Sequence, residues 1–148
     1  MQAPVDVIDS TEPWVKNQID EYVATDGAKP VFRGDAPLVL LTYQGRKTGQ
    51  WRRTCLIGAE YEGSYLLVAS KGGAADHPLW YPNLVENPTA WLQVGPDYFA
   101  VTARTATPAE KPERWDHMVS LYPEYANYQT KTDRDIPIVI LDPILTAG

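Results

Sequence analysis

The segment Gly45-Arg46-Lys47-Thr48-Gly49-Gln50-Trp51-Arg52-Arg53 concentrates four cations within eight positions. Its two glycines let the backbone approach a ligand and expose amide donors, while Arg and Lys supply charge-assisted hydrogen bonds to phosphate or carboxylate. No acidic residue falls between Asp35 and Glu60. From charge alone the segment is either a solvated hairpin tip or an anion cradle, and the local lack of carboxylates tips the balance toward the cradle. It is not the G-x-x-x-x-G-K-[ST] loop of nucleoside triphosphatases, because Leu41 and Arg46 stand where that motif needs glycine.

Three further groups could carry chemistry. In Val68-Ala69-Ser70-Lys71-Gly72-Gly73 an apolar strand runs into a hydroxyl, a cation and two glycines. Such a strand end suits the polar edge of a flat ring, or is a plain flexible loop. Ser70 is not an esterase nucleophile, since Val68 replaces the first glycine of G-x-S-x-G. In His77-Pro78-Leu79-Trp80-Tyr81-Pro82-Asn83-Leu84, Trp80 and Tyr81 are adjacent on an expected helix and cannot both face inward. One should pack the core and the other wall a pocket. Tyr122, Tyr125 and Tyr128 recur every third residue and project from one side of a helical turn. They form either a lid that stacks on a planar substrate or an aromatic core stripe, and each buried hydroxyl then needs a partner. His77 and His117 read as surface or structural residues.

The elements that must position these groups follow from pattern. With 148 residues, 44% of them hydrophobic, the chain fits one globular domain. The N-terminal 1–30 is expected to be a helical segment and 31–148 the body. A net charge of -6 argues against nucleic acid as a partner. One cysteine excludes an internal disulfide, and two histidines beside it argue against a zinc cluster, so no metal is expected. No apolar run approaches the roughly 20 residues that cross a bilayer, and no secretory signal is recognisable. A cytoplasmic location is expected.

Residues 1–8 are expected to be frayed. Asp9 or Ser10 should cap a helix that places Trp14, Gln18, Ile19, Tyr22 and Val23 at helical spacing and stops before Asp26-Gly27. This helix should pack on the body; a weak peripheral membrane contact through Trp14 is the alternative, opposed by Asp20 and Glu21. Strands are expected over 38–43, 52–61, 65–70, 89–94, 98–106 and 136–141. Helices are expected over 78–86, with Pro82 disturbing it, and over 107–121, followed by a helical or turn segment over 122–131. Short hairpin-linked strands with helices at the periphery indicate an α+β fold, a small, mostly antiparallel barrel of six to seven strands.

Taken in order, Gly-Arg-Lys-Thr-Gly-Gln (45–50), Ala-Ser-Lys-Gly-Gly-Ala (69–74), His-Pro-Leu-Trp-Tyr-Pro-Asn-Leu (77–84), Glu-Asn-Pro (86–88), Tyr-Pro-Glu-Tyr-Ala-Asn-Tyr-Gln (122–129) and Asp133-Arg134-Asp135-Ile136-Pro137 resemble the actinobacterial deazaflavin-dependent nitroreductases and quinone reductases. These use coenzyme F420. The resemblance spans about residues 38–143 and implies an FMN-binding-like split β-barrel. It implies that Arg46, Lys47, Thr48, Arg52 and Arg53 lie near the phosphate and acidic tail of the cofactor. Thr54, Cys55, Leu56 and Ile57, then Val68, Ala69, Ser70 and Lys71, then Leu79, Trp80, Tyr81, Pro82 and Asn83 would line its ring and linker. Tyr125 would reach the deazaflavin, and Tyr122, Tyr128 and Trp80 would bound the substrate pocket. Cys55 stands where relatives commonly have proline, and Pro82 where leucine is usual.

The chemistry implied is hydride transfer from reduced F420 to a quinone, nitro-aromatic or activated enone, with Ser70 or Tyr125 stabilising the developing oxyanion or delivering a proton. An FMN-dependent reductase or oxidase on the same barrel, and a non-catalytic carrier of cofactor or quinone, are the alternatives.

Overall fold

Residue alternation builds a closed barrel whose two faces are used differently. The computed structural model describes residues 2–28, 31–32 and 36–144. Its strands are β1 Val7–Asp9, β2 Val31–Phe32, β3 Ala36–Gln44, β4 Trp51–Tyr61, β5 Ser64–Val68, β6 Thr89–Val94, β7 Asp97–Thr105 and β8 Ile138–Pro143. The helices are α1 Pro13–Thr25, α2 Trp80–Glu86, α3 Lys111–Leu121 and α4 Glu124–Thr130. The sheet order is β1-β4-β5-β8-β7-β6-β3-β2, and β3 also pairs with β4. That extra pairing closes β3 to β8 into a six-strand antiparallel barrel.

Successive side chains on a strand point to opposite faces. Val39, Leu41 and Tyr43 of β3 therefore share the barrel interior with Leu67, Leu92, Val101, Val139 and Leu141, and α2 adds Trp80 and Leu84 to that core. The intervening residues face outward but are not left to water. Leu40 and Cys55 are covered by Val15, Ile19 and Tyr22 of α1. Leu66, Val68, Ile138 and Ile140 are covered by Met118, Tyr122 and Tyr125 of the α3–α4 region. Each fully buried Leu or Ile contributes about 1.5–3 kcal/mol, so the outer layers are as necessary to the fold as the interior.

Helix α1 is held at both ends. Asp26 in the left-handed region (φ 50) and Gly27 (φ 71) terminate it. A Cβ on Gly27 would sit 2.7 Å from the Gly95 Cα, so only glycine permits this close approach to the β6–β7 turn. There the Tyr22 hydroxyl accepts the Gly95 N–H at 2.7 Å. At the other end Val7–Asp9 runs parallel to Trp51–Arg53, and Ser10 N–H donates to the Arg53 carbonyl at 2.9 Å. The expected fraying thus does not extend to residues 7 and 8, because β4 supplies ladder partners from a distant part of the chain. The expected cap is also displaced: Glu12 occupies that position without a side-chain bond, and Asp9 spends its carboxylate on Arg53 and Lys16.

Most elements match their expected spans within a few residues. Strand β8 is shifted, beginning at Ile138 rather than 136. Helix α3 starts at Lys111 rather than near 107, because Thr107 and Glu110 form a reciprocal cap ahead of it. The Thr107 N–H donates to Glu110 Oε1 at 3.0 Å and the Glu110 N–H to Thr107 Oγ1 at 3.2 Å. Pro82 does not disturb α2: it lies in the first turn, where the N–H groups have no intrahelical acceptor. The expected boundary at residues 30 and 31 abuts positions 29–30, which lie outside the described residues.

Candidate functional site

A cavity of about 590 Å³ opens where the outer layers meet the barrel wall. Strand β4 contributes Thr54, Cys55, Leu56 and Ile57, and the end of β5 contributes Val68, Ser70, Lys71 and Gly72. Pro78 and Trp80 close one side, Tyr122, Tyr125 and Tyr128 another, and α1 brings Trp14, Val15 and Gln18. The volume falls within the range of small-molecule sites. Among the described residues of this wall Lys71 is the one charged side chain, and none is a carboxylate.

The three tyrosines serve as both core and wall. Tyr122 packs edge-on against Tyr125 with centroids 5.0 Å apart, and the Tyr122 and Tyr128 hydroxyls share a 3.0 Å hydrogen bond. Tyr125 is 4% exposed, yet among the described residues its hydroxyl makes no hydrogen bond. Among the described residues no fully buried side-chain polar atom lacks a partner, so the Tyr125 hydroxyl reaches the cavity it lines. Burial, reinforced by the neighbouring phenols Tyr122 and Tyr128, raises its pKa above the ordinary phenol value. It remains a neutral donor at physiological pH. Cys55 is likewise buried, and desolvation pushes its thiol up to about 12; it lines the cavity as a small apolar group and a poor nucleophile.

Ser70 is 8% exposed and its hydroxyl makes no hydrogen bond among the described residues, so it too is available to a ligand. The loop that carries it is not slack. Residues Lys71–Gly73 form a 3-10 turn. A Cβ on Gly73 (φ +82) would meet the Tyr128 carbonyl oxygen at 2.5 Å, so the loop lies directly on α4. From behind, Arg134 donates to the carbonyls of Ala69 (3.0 Å), Ser70 (2.6 Å) and Ala74 (2.8 Å). It also contacts His77 Nδ1 at 3.1 Å. Burial and the Arg134 charge lower the His77 pKa, consistent with a neutral, structural imidazole.

The basic segment is freer of acids in sequence than in space. The turn closes through Gly49 N–H to the Gly45 carbonyl at 2.9 Å. Arg46 is drawn onto α2: its backbone N–H and Nη1 donate to Asn83 Oδ1 at 2.9 and 3.0 Å, and its Nε lies 3.5 Å from Glu86. Arg53 makes a two-pronged pair with Asp9 at 2.6 and 3.1 Å. Burial works against the Asp9 charge, but hydrogen bonds from Arg53 and Lys16 outweigh it, so its pKa is lowered. Lys47 and Arg52 are exposed and form no ion pair with a described residue. Thr48 Oγ1 accepts the Gln50 N–H at 3.2 Å.

None of these five side chains is in the cavity wall; they sit beyond its Thr54 end, on β4 and the turn before it. Ala69 is fully buried. Leu79 is 74% exposed, and Asn83 ties α2 to the basic turn. Trp80 both fills the core and walls the cavity. Tyr81 faces elsewhere, its hydroxyl 2.7 Å from Thr105 Oγ1. Pro82 is not in the cavity wall either. Sequence reasoning assigned no site role to Trp14, Val15, Gln18, Leu38, Pro78 or Arg134. Trp14 and Gln18 were visible in the stripe of α1, but spacing cannot say whether a stripe ends on core or on a cavity.

With this geometry in place, the family model for F420H(2)-dependent quinone reductase matches residues 14–143. The chain belongs to this family. The F420H(2)-dependent quinone reductase of Mycobacterium tuberculosis strain H37Rv is 42% identical, over 73% of this chain and 74% of its own. A solved F420-H2 dependent reductase, FDR-A, is 44% identical with a TM-score of 0.68, covering 76% of this chain and 99% of its own. A structure described as a domain-swapped dimer is 41% identical with a TM-score of 0.69, covering 90% and 100%. The barrel is of the FMN-binding-like split type. The family is one of F420H(2)-dependent oxidoreductases. No helix among the described residues is long and apolar enough to cross a membrane.

Proposed function

We propose that the chain oxidises reduced F420 and reduces a quinone held in the cavity, with nitro-aromatics and activated enones as further substrates of the same shape. The observation that carries this reading is the pairing of two hydroxyls with no hydrogen bond to a described residue, Ser70 and Tyr125, in a cavity whose described lining has five aromatics and no carboxylate. The residues fit the cofactor. Thr54 to Ile57, Val68 to Lys71 and Trp80 would hold its ring and linker, and the flanking Leu79 and Tyr81 to Asn83 would support that end through α2. Lys47, Thr48 and Arg52 would take its anionic tail. Arg46 and Arg53 join them only by sharing or exchanging their carboxylate partners Glu86 and Asp9.

When bound, the reduced deazaflavin supplies a hydride. The protein's part is to orient and to meet charge. Tyr122, Tyr128, Trp80 and Trp14 bound the space in which a flat acceptor stacks. Tyr125, held neutral, donates toward the oxygen that gains negative charge, and Ser70, on the loop that rests against α4, can do the same. Lys71 adds positive potential, and a wall with no acid among the described residues avoids repelling that anion. The Trp14 and Val23 side chains would also let α1 rest against a lipid surface, the weaker of its two roles because Asp20 and Glu21 repel anionic headgroups.

Titrating the purified protein separately with F420 and FMN, and then following oxidation of reduced F420 by menadione, tests the reading. Binding of F420 with turnover is expected. Preference for FMN would overturn the cofactor assignment, and F420 binding without oxidation by any quinone, nitro compound or enone would make the protein a carrier.

A further inference from the structure

Arg134 is a cation of the described structure that makes no ion pair with a described carboxylate and spends its donors on one loop. Three carbonyls, those of Ala69, Ser70 and Ala74, converge on its guanidinium at 2.6–3.0 Å. A peptide unit is planar and trans, so its N–H points away from its C=O. Turning the Ala69 and Ser70 carbonyls toward Arg134 therefore turns the N–H groups of Ser70 and Lys71 away from it. Among the described residues neither of these amides donates a backbone hydrogen bond. Arg134 is absent from the cavity wall, whereas Ser70 and Lys71 are part of it. The Ser70 carbonyl also accepts the Gly73 N–H at 2.9 Å, so Arg134 from outside and the turn itself together decide which polar groups the end of β5 offers within.

We propose that Arg134 is a positioning residue of the reductase: by withdrawing the Ala69 and Ser70 carbonyls it leaves a donor-only edge, the Ser70 hydroxyl with the Ser70 and Lys71 amides, to face the bound ring and acceptor. Carbonyl oxygens presented at that edge would oppose the negative charge the reaction develops there. Bidentate and forked geometry makes arginine suited to this task, since lysine is a point charge on a flexible stem and cannot hold three carbonyls in fixed directions. The chain is already built to keep the turn short: Gln129 Nε2 donates to the Arg134 carbonyl at 2.8 Å and Gln129 Oε1 accepts the Ile136 N–H at 3.0 Å. Residue 134 is thereby fixed where its side chain reaches behind the loop. This assignment rests on the cofactor site proposed above.

The test compares wild type, Arg134→Lys and Arg134→Gln by thermal unfolding, by amide hydrogen exchange without cofactor, by F420 titration, and by kcat and KM for menadione. Both variants should speed exchange at 69–77 while leaving β6 and β7 protected. Turnover should fall about 10- to 100-fold, the scale expected for misplaced groups, with the menadione KM changing far less. Lysine should recover part of the loss. Faster loop exchange with unchanged kcat and F420 affinity would overturn the proposal, as would lost turnover with unchanged loop exchange. Global unfolding of both variants would also overturn it, making Arg134 a residue of general stability. Failure of wild type to bind F420 would sink the underlying cofactor reading, while the exchange data would still show whether Arg134 clamps the loop.

Discussion

Replacing Tyr125 by phenylalanine removes one oxygen atom from a ring that is otherwise 4% exposed. That oxygen has no protein partner among the described residues, so its deletion leaves no orphaned donor or acceptor behind. The expected stability change is therefore between zero and a gain of about 1 kcal/mol. Catalysis should respond in the opposite sense. A hydrogen bond to a charged group contributes about 1.5–3 kcal/mol, and about 1.4 kcal/mol is tenfold in rate, so kcat should fall roughly 10- to 150-fold. Tyr122→Phe supplies the contrast, because its hydroxyl is bonded to Tyr128 at 3.0 Å. It should lose about 1 kcal/mol, a drop in Tm of roughly 2–4 °C for a chain of this size. Differential scanning fluorimetry and menadione kinetics on the two variants and wild type settle the matter. If Tyr125→Phe is clearly destabilised, its hydroxyl has a structural partner and the reasoning fails; if its kcat is unchanged, the hydroxyl does not meet the reacting oxygen.

Arg52→Ala should weaken F420 binding with little change in Tm, whereas Arg53→Ala should lower Tm as well, because it removes the two-pronged partner of Asp9 and leaves that carboxylate with Lys16 alone; equal Tm values for the two would refute the distinction. The Asp9 pKa is lowered from 3.8, so its pairing stabilises the fold above that pH and is lost as pH falls through the lower folded value. Asp9→Asn should accordingly be less stable than wild type at neutral pH, by about 2 kcal/mol for a broken charge-assisted pair, and the two should converge in acid, as urea titrations across pH would show. Cys55, with its thiol pushed up to about 12, should resist iodoacetamide at pH 8 in the native protein and react within the usual time once unfolded, by intact mass.

What was legible in the sequence was whatever is written locally. Strand β6 was readable residue for residue because the mostly apolar run Thr89 to Val94 is set between a proline before it and a Gly-Pro turn after it. The tyrosine triad and the Ser70 strand end were visible as types and spacings, and the fold does bring both to one cavity. What stayed hidden depends on partners far along the chain. Nothing near Arg53 announces Asp9, and nothing near Arg46 announces Asn83 and Glu86, so the basic segment looked more available than it is. Val7–Asp9 has too few residues for a pattern, and its ladder exists only because β4 has an open edge. Arg134 sat within a recognisable run, but its role becomes apparent only when the carbonyls of residues 69, 70 and 74 are seen around it.

Strand β8 is the last strand in chain order yet lies between β5 and β7 in the barrel. Until residues 138–143 insert there, β5 has one open edge, β7 another, and Leu66 and Val68 lack the Ile138 and Ile140 neighbours that complete their layer. On a ribosome, the two halves β3–β5 and β6–β7 can form their hairpins early but cannot close around a cavity. Contacts of such long sequence separation make the final step slow and leave exposed strand edges in the meantime. Cofactor loading must therefore follow synthesis of β8, and a clip that removes this strand would open the cylinder as surely as a cut through its middle.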